Sequence, residues 1–462
     1  MRIVIGAPHG KSGKTFITMA VVQAMQKRGM KVAVYKKGPD FIDAGWLSLA
    51  AKQTCRNLDL FFLPPMALND HFLKTSAGND IAVVEGAMGL YDGLDLEGSD
   101  STAALAKTLK APVILVVDVT RMTRSVAALV KGFMDFDSQI RIAGVILNQV
   151  ARPRHEDMLR RSIEVYCGIP VLGAVPRHPG LAIPQRHLGL TPAREYDKKE
   201  ELFRSIKEEV ASWLDVDRII DVAKESPPLE SIKEAPVKKE AKVRVGVVKD
   251  DCFTFYYPEN LESLERAGAD LVTIDAISSE KLPDIDALYI GGGFPEVFAE
   301  ELEANSSLRL DIRKAAQNGM PIYAECGGLM YLARGIIGPT VRREMVGVLS
   351  CDVAMHSKPQ GHGYTVLQVE RSNWLFSGKH EIRGHEFHYS KVCNLSKRLV
   401  DYLFRVKRGT GLDGQHDGLM VYNTIATYNH VYAPACPEWA ENLVAAAEGR
   451  RTIQGKNCSI RL

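Results

Sequence analysis

The sequence lacks long apolar runs and paired cysteines. No run approaches the roughly 18 apolar residues that a membrane-spanning helix requires, and the apolar stretch at residues 1–6 is too short for a secretory signal. The eight cysteines are scattered and include no CxxC pair, which argues against a zinc site and against a secreted disulfide framework. We therefore expect a cytoplasmic protein without a membrane partner.

An excess of one charge sign is also missing. The chain carries 58 basic and 56 acidic residues and has a net charge of +2, so its charge gives no reason to expect nucleic acid as a partner. Of the 462 residues, 46% are hydrophobic and 25% are charged, as in ordinary globular proteins. A chain of this length is expected to form two to four domains.

Short apolar runs alternate with helical patterns from the start of the chain. The runs are rich in β-branched residues and nearly continuous, which is typical of parallel strands covered on both faces. The pattern predicts a helix over residues 15–28 and strands over residues 2–6, 31–35, 81–85, 113–118 and 142–147. We therefore predict an α/β fold with a doubly wound sheet.

The composition changes near residue 215. Residues 215–242 include SPPLESIKEAPVKKEAK, which is rich in proline, lysine and glutamate and is typical of a linker. The α/β rhythm then resumes, with strands predicted near residues 244, 287–290 and 321–324 and a helix over 258–267. The predicted organisation is a first domain at 1–214, a linker at 215–242, a second domain at 243–440 and a tail at 441–462.

The first strand leads into a candidate phosphate-binding loop that opens a helix. Such loops direct backbone N–H groups at phosphate oxygens, place a lysine near the β and γ phosphates and provide a hydroxyl for Mg²⁺. Pro8 stands where the common pattern has its first glycine, and a chance Gly-Lys-Thr is the alternative interpretation. The predicted nucleotide-binding residues are Gly10, Lys11, Ser12, Gly13, Lys14 and Thr15.

Acidic residues follow two other predicted strands. Ligands of open parallel sheets bind at the carboxyl ends of the strands, so we expect these acids to lie near the phosphates and to serve Mg²⁺ and phosphoryl transfer. A cap or turn is the alternative role for any one of them. The candidates are Asp40, Asp43, Glu85 and Asp92, with Thr15, Asp40 and Glu85 as metal ligands. Asn148, at another strand end, reads a base edge or forms a turn.

A second site is predicted at Cys326, which stands between a strand and a helix and is followed by two glycines. A helix N-terminus favours the thiolate, and glycines allow a substrate carbonyl to approach a nucleophile elbow. A buried structural cysteine is the alternative. The candidate oxyanion and glutamine-binding residues are Gly292, Gly293 and Gly327.

A thiol nucleophile needs a base. His430 is the first choice, and His388, which alternates with Glu386 along a predicted strand, is the other candidate. Spacing alone does not decide between the two histidines.

Five motifs together resemble the cobyrinate a,c-diamide synthase family. They occur in the order of that family, and the resemblance extends from residue 1 to about residue 435. The motifs are GPDFID (38–43), EGAMGLYDG (85–93), GGGFPE (291–296), AECGGLMYL (324–332) and GHEFHYS (384–390).

The resemblance implies a dethiobiotin-synthetase-like ATP domain joined to a flavodoxin-like class I glutamine amidotransferase domain. It implies ATP and Mg²⁺ as cofactors, L-glutamine and a tetrapyrrole acid as substrates, and amidation of the a and c acetate groups. The cysteine matching Cys326 attacks glutamine, the histidine matching His430 assists, and the acids matching the four candidates serve carboxylate activation. Class I enzymes often carry a glutamate two residues after the histidine; Tyr432 stands there, so the group that orients His430 is unassigned.

Three other functions are compatible with parts of the pattern. The same reaction on Ni-sirohydrochlorin or another siroheme-type acid is one, and the sister enzyme cobyrate synthase is another. A partitioning-type P-loop ATPase is a third, although such an ATPase would have no use for the Cys326 elbow. The sequence is compatible with a monomer or a homodimer.

Overall fold

The computed structural model describes residues 1–178, 183–186, 189–230, 239–378, 380–396 and 401–459. The chain divides into two compact units, Met1–Ala235 and Pro236–Leu462. Within the described residues, no helix is both long enough and apolar enough to cross a membrane.

A seven-stranded parallel sheet organises the first unit. Its strand order is β3-β2-β4-β1-β5-β6-β7, and its central strands are buried because their runs of valine and isoleucine are covered on both faces. The strands are β1 (Arg2–Gly6), β2 (Val32–Lys37), β3 (Arg56–Leu58), β4 (Ile81–Glu85), β5 (Val113–Asp118), β6 (Ile142–Val150) and β7 (Val171–Pro176).

Helices cover this sheet and connect its strands. They are α1 (Lys14–Lys27), α2 (Phe41–Ala51), α3 (Pro65–Ser76), α4 (Thr102–Thr108), α5 (Ser125–Phe136), α6 (Pro153–Cys167), α7 (Lys199–Glu208) and α8 (Val216–Lys224). Two short strands, β8 (Gln185–Arg186) and β9 (Gly189–Leu190), pair with each other. Single 3₁₀ turns lie at Ala193–Glu195 and Val210–Trp213. The predicted α/β, doubly wound fold class is confirmed.

Helix α8 lies inside the segment predicted as a linker. Its residues Val216, Ile219, Val222 and Ala223 are buried in the core of the first unit, at a spacing that places them on one helical face. The first unit therefore continues past residue 214. Sequence reasoning missed this amphipathic helix because the residues that follow it are rich in proline and lysine.

A ten-stranded mixed sheet organises the second unit. Its order is β11-β10-β12-β13-β22-β21-β20-β17-β18-β23, in which β11 to β22 pair in parallel. The strands are β10 (Val243–Val248), β11 (Ala269–Ile274), β12 (Ala287–Ile290), β13 (Ile322–Glu325), β17 (Gly361–Val369), β18 (Glu381–His388), β20 (Asp401–Arg408), β21 (His416–Val421), β22 (Thr424–Thr427) and β23 (His430–Val431).

Among the described residues, a smaller sheet and five helices complete the second unit. The smaller sheet has the order β15-β14-β16-β19 and consists of β14 (Gly335–Ile337), β15 (Arg342–Glu344), β16 (Asp352–Met355) and β19 (Ser390–Cys393). The helices are α9 (Pro258–Ala267), α10 (Ala299–Ala304), α11 (Ser306–Gln317), α12 (Gly327–Leu332) and α13 (Glu438–Ser459), with a 3₁₀ turn at Ala433–Ala435.

Helix α13 begins before the segment predicted as a tail. Trp439, Leu443 and Val444 are buried in the core of the second unit. The Trp439 ring packs edge-on against Tyr289, with ring centres 5.2 Å apart. The chain after residue 440 therefore contributes to this core rather than starting a separate tail.

Candidate active sites

The phosphate-type loop connects β1 to α1. Lys11 and Gly13 have positive φ angles of 62° and 90°, and a Cβ atom at Gly13 would overlap the side-chain amide of Asn148. Glycine is therefore required at this position for both its conformation and its contact. The predicted residues 10–13 all lie in this loop, and Lys14 and Thr15 begin α1.

Asn148 supports the loop. Its side-chain amide donates to the Ser12 carbonyl at 3.0 Å, and its Oδ1 accepts from the Gln149 backbone N–H at 3.0 Å. The Ser12 hydroxyl in turn donates to the His9 carbonyl at 2.9 Å. Asn148 was predicted either to read a base edge or to form a turn, and these contacts favour the role in a turn.

Lys14 reaches across the loop to the chain that follows β4. Its Nζ donates to the carbonyl of Met88 at 2.6 Å and to that of His9 at 3.2 Å. Burial, assisted by the nearby Lys36 ammonium, lowers the pKa of Lys14 to about 8. The two main-chain carbonyls therefore fix the position of the Lys14 amine at the loop.

A buried lysine, which the sequence reasoning missed, joins two of the predicted acids. Lys36 Nζ lies 2.7 Å from Asp43 Oδ2 and 2.6 Å from Glu85 Oε1. The Thr15 hydroxyl donates to the same Glu85 oxygen at 2.8 Å. Because Lys36 and Glu85 are opposite each other in the β2–β4 pairing, these groups meet at the carboxyl edge of the sheet.

The charges of this cluster depend on one another. Burial works to lower the pKa of Lys36, but the carboxylates of Asp43 and Glu85 outweigh it and raise that pKa well above its usual value. Burial raises the pKa of Glu85. For Asp43, burial opposes ionisation, yet the Lys36 ammonium dominates and lowers the pKa. The Lys36 ammonium thus favours the ionised form of Asp43, whereas burial outweighs it at Glu85.

The other two predicted acids bind main-chain N–H groups. Asp40 caps α2 through a 2.8 Å bond from the Asp43 N–H, and burial, with the Asp43 charge, raises the pKa of Asp40 to about 7. The exposed Asp92 accepts from the Gly89 N–H at 2.9 Å. Asp43 and Glu85 are therefore the acids that contact Lys36, whereas Asp40 and Asp92 shape the loops around them.

The residues at the sheet edge fit a magnesium ion. Glu85 Oε2 is buried and makes no hydrogen bond to the described residues, and the Thr15 hydroxyl lies beside the other oxygen. The described part of the chain contains no group of three His, Cys, Asp or Glu residues placed to hold a metal by themselves. Mg²⁺ commonly uses one or two protein oxygens and completes its shell with water and phosphate, so Thr15 and Glu85 suit it.

Cys326 occupies a strained turn between β13 and α12. Its φ and ψ are 48° and −99°, a conformation that costs free energy in a non-glycine residue and is concentrated at functional sites. A Cβ atom at the next residue, Gly327, would lie 2.9 Å from the Gly293 nitrogen. The cysteine therefore stands on a tight elbow, as predicted for a nucleophile.

The elbow does not favour the thiolate, contrary to the sequence-based expectation. Cys326 is 4% exposed, and its burial, with the negative charge of Glu296, raises the pKa of the thiol. Helix α12 has only six residues, so its dipole is small against this desolvation. A base must therefore remove the thiol proton.

His430 lies beside the predicted glycine loop. A Cβ atom at Gly292 would lie 2.5 Å from His430 Cε1 and 3.2 Å from its Nε2, and one at Gly293 would overlap the Cys252 carbonyl. Strand β18 links this histidine to the elbow, because His385 pairs with His430 and the Phe387 carbonyl lies 3.9 Å from Cys326 Sγ. The second unit thus brings the predicted glycines, Cys326 and His430 together.

Glu325, which sequence reasoning also missed, faces His430 from the residue before the cysteine. Its Oε2 lies 3.5 Å from His430 Nδ1 and accepts from the Tyr289 hydroxyl at 2.9 Å. Its Oε1 accepts from the Val431 N–H at 2.9 Å. Tyr432, two residues after the histidine, instead packs edge-on against Tyr257.

His388, the other candidate base, is held in a different environment. Its Nδ1 donates to the Ser390 carbonyl at 2.8 Å, its Nε2 lies 3.5 Å from Glu386, and its ring stacks on Tyr428. Glu386 also accepts from the Gly411 N–H at 2.8 Å. These contacts indicate that His388 and Glu386 support the chain that follows β20. The position of His430 beside the Gly292 loop favours His430 as the base.

Comparisons with known proteins give a consistent family assignment. Residues 3–190 match the model of the CobQ/CobB/MinD/ParA nucleotide binding domain, and residues 244–435 match that of the CobB/CobQ-like glutamine amidotransferase domain. The matches lie within the two structural units and include the two sites described above.

Curated relatives match nearly the whole chain. A cobyrinate a,c-diamide synthase of Magnetococcus marinus is 45% identical over 95% of each chain. Relatives of the same name from Archaeoglobus fulgidus and Dehalococcoides mccartyi are 43% and 40% identical, over 93% and 98% of this chain and 94% and 99% of their own.

Proposed function

The chain belongs to the cobyrinate a,c-diamide synthase family, and we propose that it catalyses the ATP- and glutamine-dependent amidation of the a and c acetate carboxylates of cobyrinate. One observation carries the proposal. A phosphate-type loop with a buried Lys36–Asp43–Glu85 cluster and a cysteine elbow with a histidine occur in the same chain. The two sites correspond to the two half-reactions of such an amidation.

In the glutaminase half-reaction, Cys326 is the nucleophile and His430 the base. His430 takes the thiol proton as the sulfur bonds to the amide carbon of glutamine, and returns it to the departing nitrogen as the C–N bond breaks. Water then cleaves the thioester and releases glutamate. Backbone N–H groups of the Gly292–Gly293 loop and of Gly327 are the candidates for stabilising the oxyanion.

In the synthetase half-reaction, the first unit activates the substrate carboxylate. A carboxylate is a poor acyl donor because oxide would have to leave, whereas an acyl phosphate loses phosphate, which ammonia displaces. Lys14 and Lys36 offset the negative charge of the phosphates and the carboxylate. When bound, Mg²⁺ neutralises developing phosphate charge, and Thr15 and Glu85 are the residues that would hold it.

The need for glutamine follows from the chemistry of ammonia. Free ammonia is mostly protonated at neutral pH and is then not a nucleophile, so an enzyme that releases it from glutamine supplies the reactive form. A partitioning-type ATPase would use the first unit alone and leave the strained Cys326 without a function. The two half-reactions together account for both sites.

The decisive assay offers ATP, Mg²⁺ and glutamine with either cobyrinate or Ni-sirohydrochlorin and follows product mass. We expect cobyrinate to gain two amides. Amidation of Ni-sirohydrochlorin alone would assign the same chemistry to another tetrapyrrole, and glutamine-independent ATP hydrolysis without any amide product would contradict the proposal. In the same assay, the Cys326→Ala variant should lose glutamine-dependent turnover and retain turnover with added ammonia.

A further inference from the structure

Class I amidotransferases often carry a glutamate two residues after the catalytic histidine, and this chain has no acidic residue at that place. Tyr432 occupies that place, and its ring packs against Tyr257 with ring centres 5.0 Å apart. It offers no carboxylate to His430. A base that must deprotonate a buried thiol with a raised pKa needs its tautomer fixed and its cationic form stabilised. Another residue must therefore supply this function.

Glu325 has the position and the rigidity for this function. It is buried, at 2% exposed, and its Oε2 lies 3.5 Å from Nδ1 of His430. Hydrogen bonds from the Tyr289 hydroxyl and the Val431 N–H, both 2.9 Å long, fix its two oxygens. The carboxylate is therefore held against the histidine by groups on two different strands.

Hydrogen bonds also hold the backbone that follows His430. Asn260 donates to the Val431 carbonyl at 2.8 Å and accepts from the Ala433 N–H at 2.8 Å. His385 stacks on the His430 ring with ring centres 4.7 Å apart. Burial lowers the pKa of His385 well below its usual value, so this neighbour is neutral and does not repel a protonated His430.

We propose that Glu325 is the positioning residue of the glutaminase: it holds the His430 proton on Nδ1 and leaves Nε2 to accept the proton of Cys326. The inference rests on the proposed function of this site. In the proposed step the proton moves from sulfur to His430 Nε2 and then to the departing ammonia, and Glu325 takes no proton itself. Because the site is dehydrated, the carboxylate stabilises the transient imidazolium strongly.

The test compares Glu325→Gln with Tyr289→Phe. The glutamine variant presents an amide N–H group to Nδ1 and favours the wrong tautomer, so kcat for glutamine hydrolysis should fall on the order of 10²- to 10⁴-fold. KM for glutamine should change little, and ammonia-dependent amidation should persist. Tyr289→Phe removes one hydrogen bond to the same oxygen but keeps the charge, and should reduce kcat less than about tenfold.

The pH profile separates positioning from a general structural role. Loss of the carboxylate makes His430 harder to protonate, so the acid limb of kcat/KM for glutamine hydrolysis should move to lower pH in Glu325→Gln and stay in place in Tyr289→Phe. If Glu325→Gln also loses ammonia-dependent turnover, Glu325→Asp, which keeps the charge, decides: its acid limb must match that of the unmodified protein.

Two sets of results would overturn different claims. Glu325 would be removed from the mechanism, with the glutaminase left intact, if Glu325→Gln had an unchanged kcat and an unmoved acid limb. A shifted acid limb in Glu325→Asp would have the same consequence. Absence of glutamine hydrolysis in the unmodified protein, or its persistence in Cys326→Ala, would instead overturn the proposed function itself.

Discussion

Replacing Lys36 by methionine is expected to destabilise the first unit by about 3–5 kcal/mol at pH 7, the usual cost of removing one partner from a buried ion pair. The Lys36 side chain is 4% exposed, and its partners Asp43 and Glu85 are 18% and 0% exposed. Methionine has a similar length but no charge. Both carboxylates would therefore lose the ammonium that contacts them directly in a largely dehydrated site.

The loss should depend on pH in a defined direction. Without the ammonium, burial raises the pKa of both carboxyl groups above their unfolded-state values, so their ionisation opposes folding. This cost is present above the unfolded-state pKa values and disappears as the pH falls and both groups bind protons. The variant should therefore regain stability relative to the unmodified protein between pH 7 and about pH 5.

Hydrogen exchange of peptides from β2 and β4 across a urea series reports the stability of the first unit separately from that of the second. Lys107→Met is the matched control, since Lys107 pairs with Asp137 at 2.9 Å on a more exposed surface and should cost less than about 1 kcal/mol. An equal loss in the two variants, or a loss in Lys36→Met that does not change with pH, would refute the reasoning.

Three further predictions concern the two sites. Glu85→Gln should reduce amidation about tenfold or more with either glutamine or ammonia, because it weakens the proposed Mg²⁺ site, while glutamine hydrolysis by the second unit persists. Normal synthesis would exclude Glu85 from the mechanism. Gly292→Ala should reduce glutamine hydrolysis about tenfold or more and spare ammonia-dependent turnover, since its Cβ would lie 2.5 Å from His430 Cε1; an unchanged kcat would show that the loop shifts freely. Asp40→Asn should keep the α2 cap and stabilise the protein more at pH 8 than at pH 6. The raised pKa of Asp40, about 7, costs stability above the unfolded-state pKa, and this cost is complete only above pH 7. Urea unfolding at the two pH values checks this.

The alternation of short β-branched runs and helical patterns was sufficient to predict the fold class. Strands β1, β4 and β5 begin and end where the pattern places them, whereas β2 continues to Lys37 and β6 to Val150. The predicted strand over 31–35 ended before Lys36 and Lys37. The two additional residues of β2 include Lys36, which completes the first site.

Contacts between strands that are distant in sequence could not be predicted. The pairing of Lys36 with Glu85 requires β2 and β4 to be neighbours, and the observed order β3-β2-β4-β1 is one of several that the sequence allows. Sequence reasoning could place the acids at one edge of a sheet but could not separate Asp43 and Glu85, which contact the lysine, from Asp40 and Asp92, which bind main-chain N–H groups.

The two missed residues nevertheless share a signal that is visible in the sequence. Lys36 stands in VAVYKK and Glu325 in IYAE, both strands whose remaining residues are buried. A charged side chain in such a strand is costly unless an opposite charge or several hydrogen bonds compensate it. In this chain each of them is compensated by a group that the proposed reaction uses, Glu85 in one case and His430 in the other. Charged residues inside otherwise apolar strands are therefore candidates for site residues even where no motif includes them.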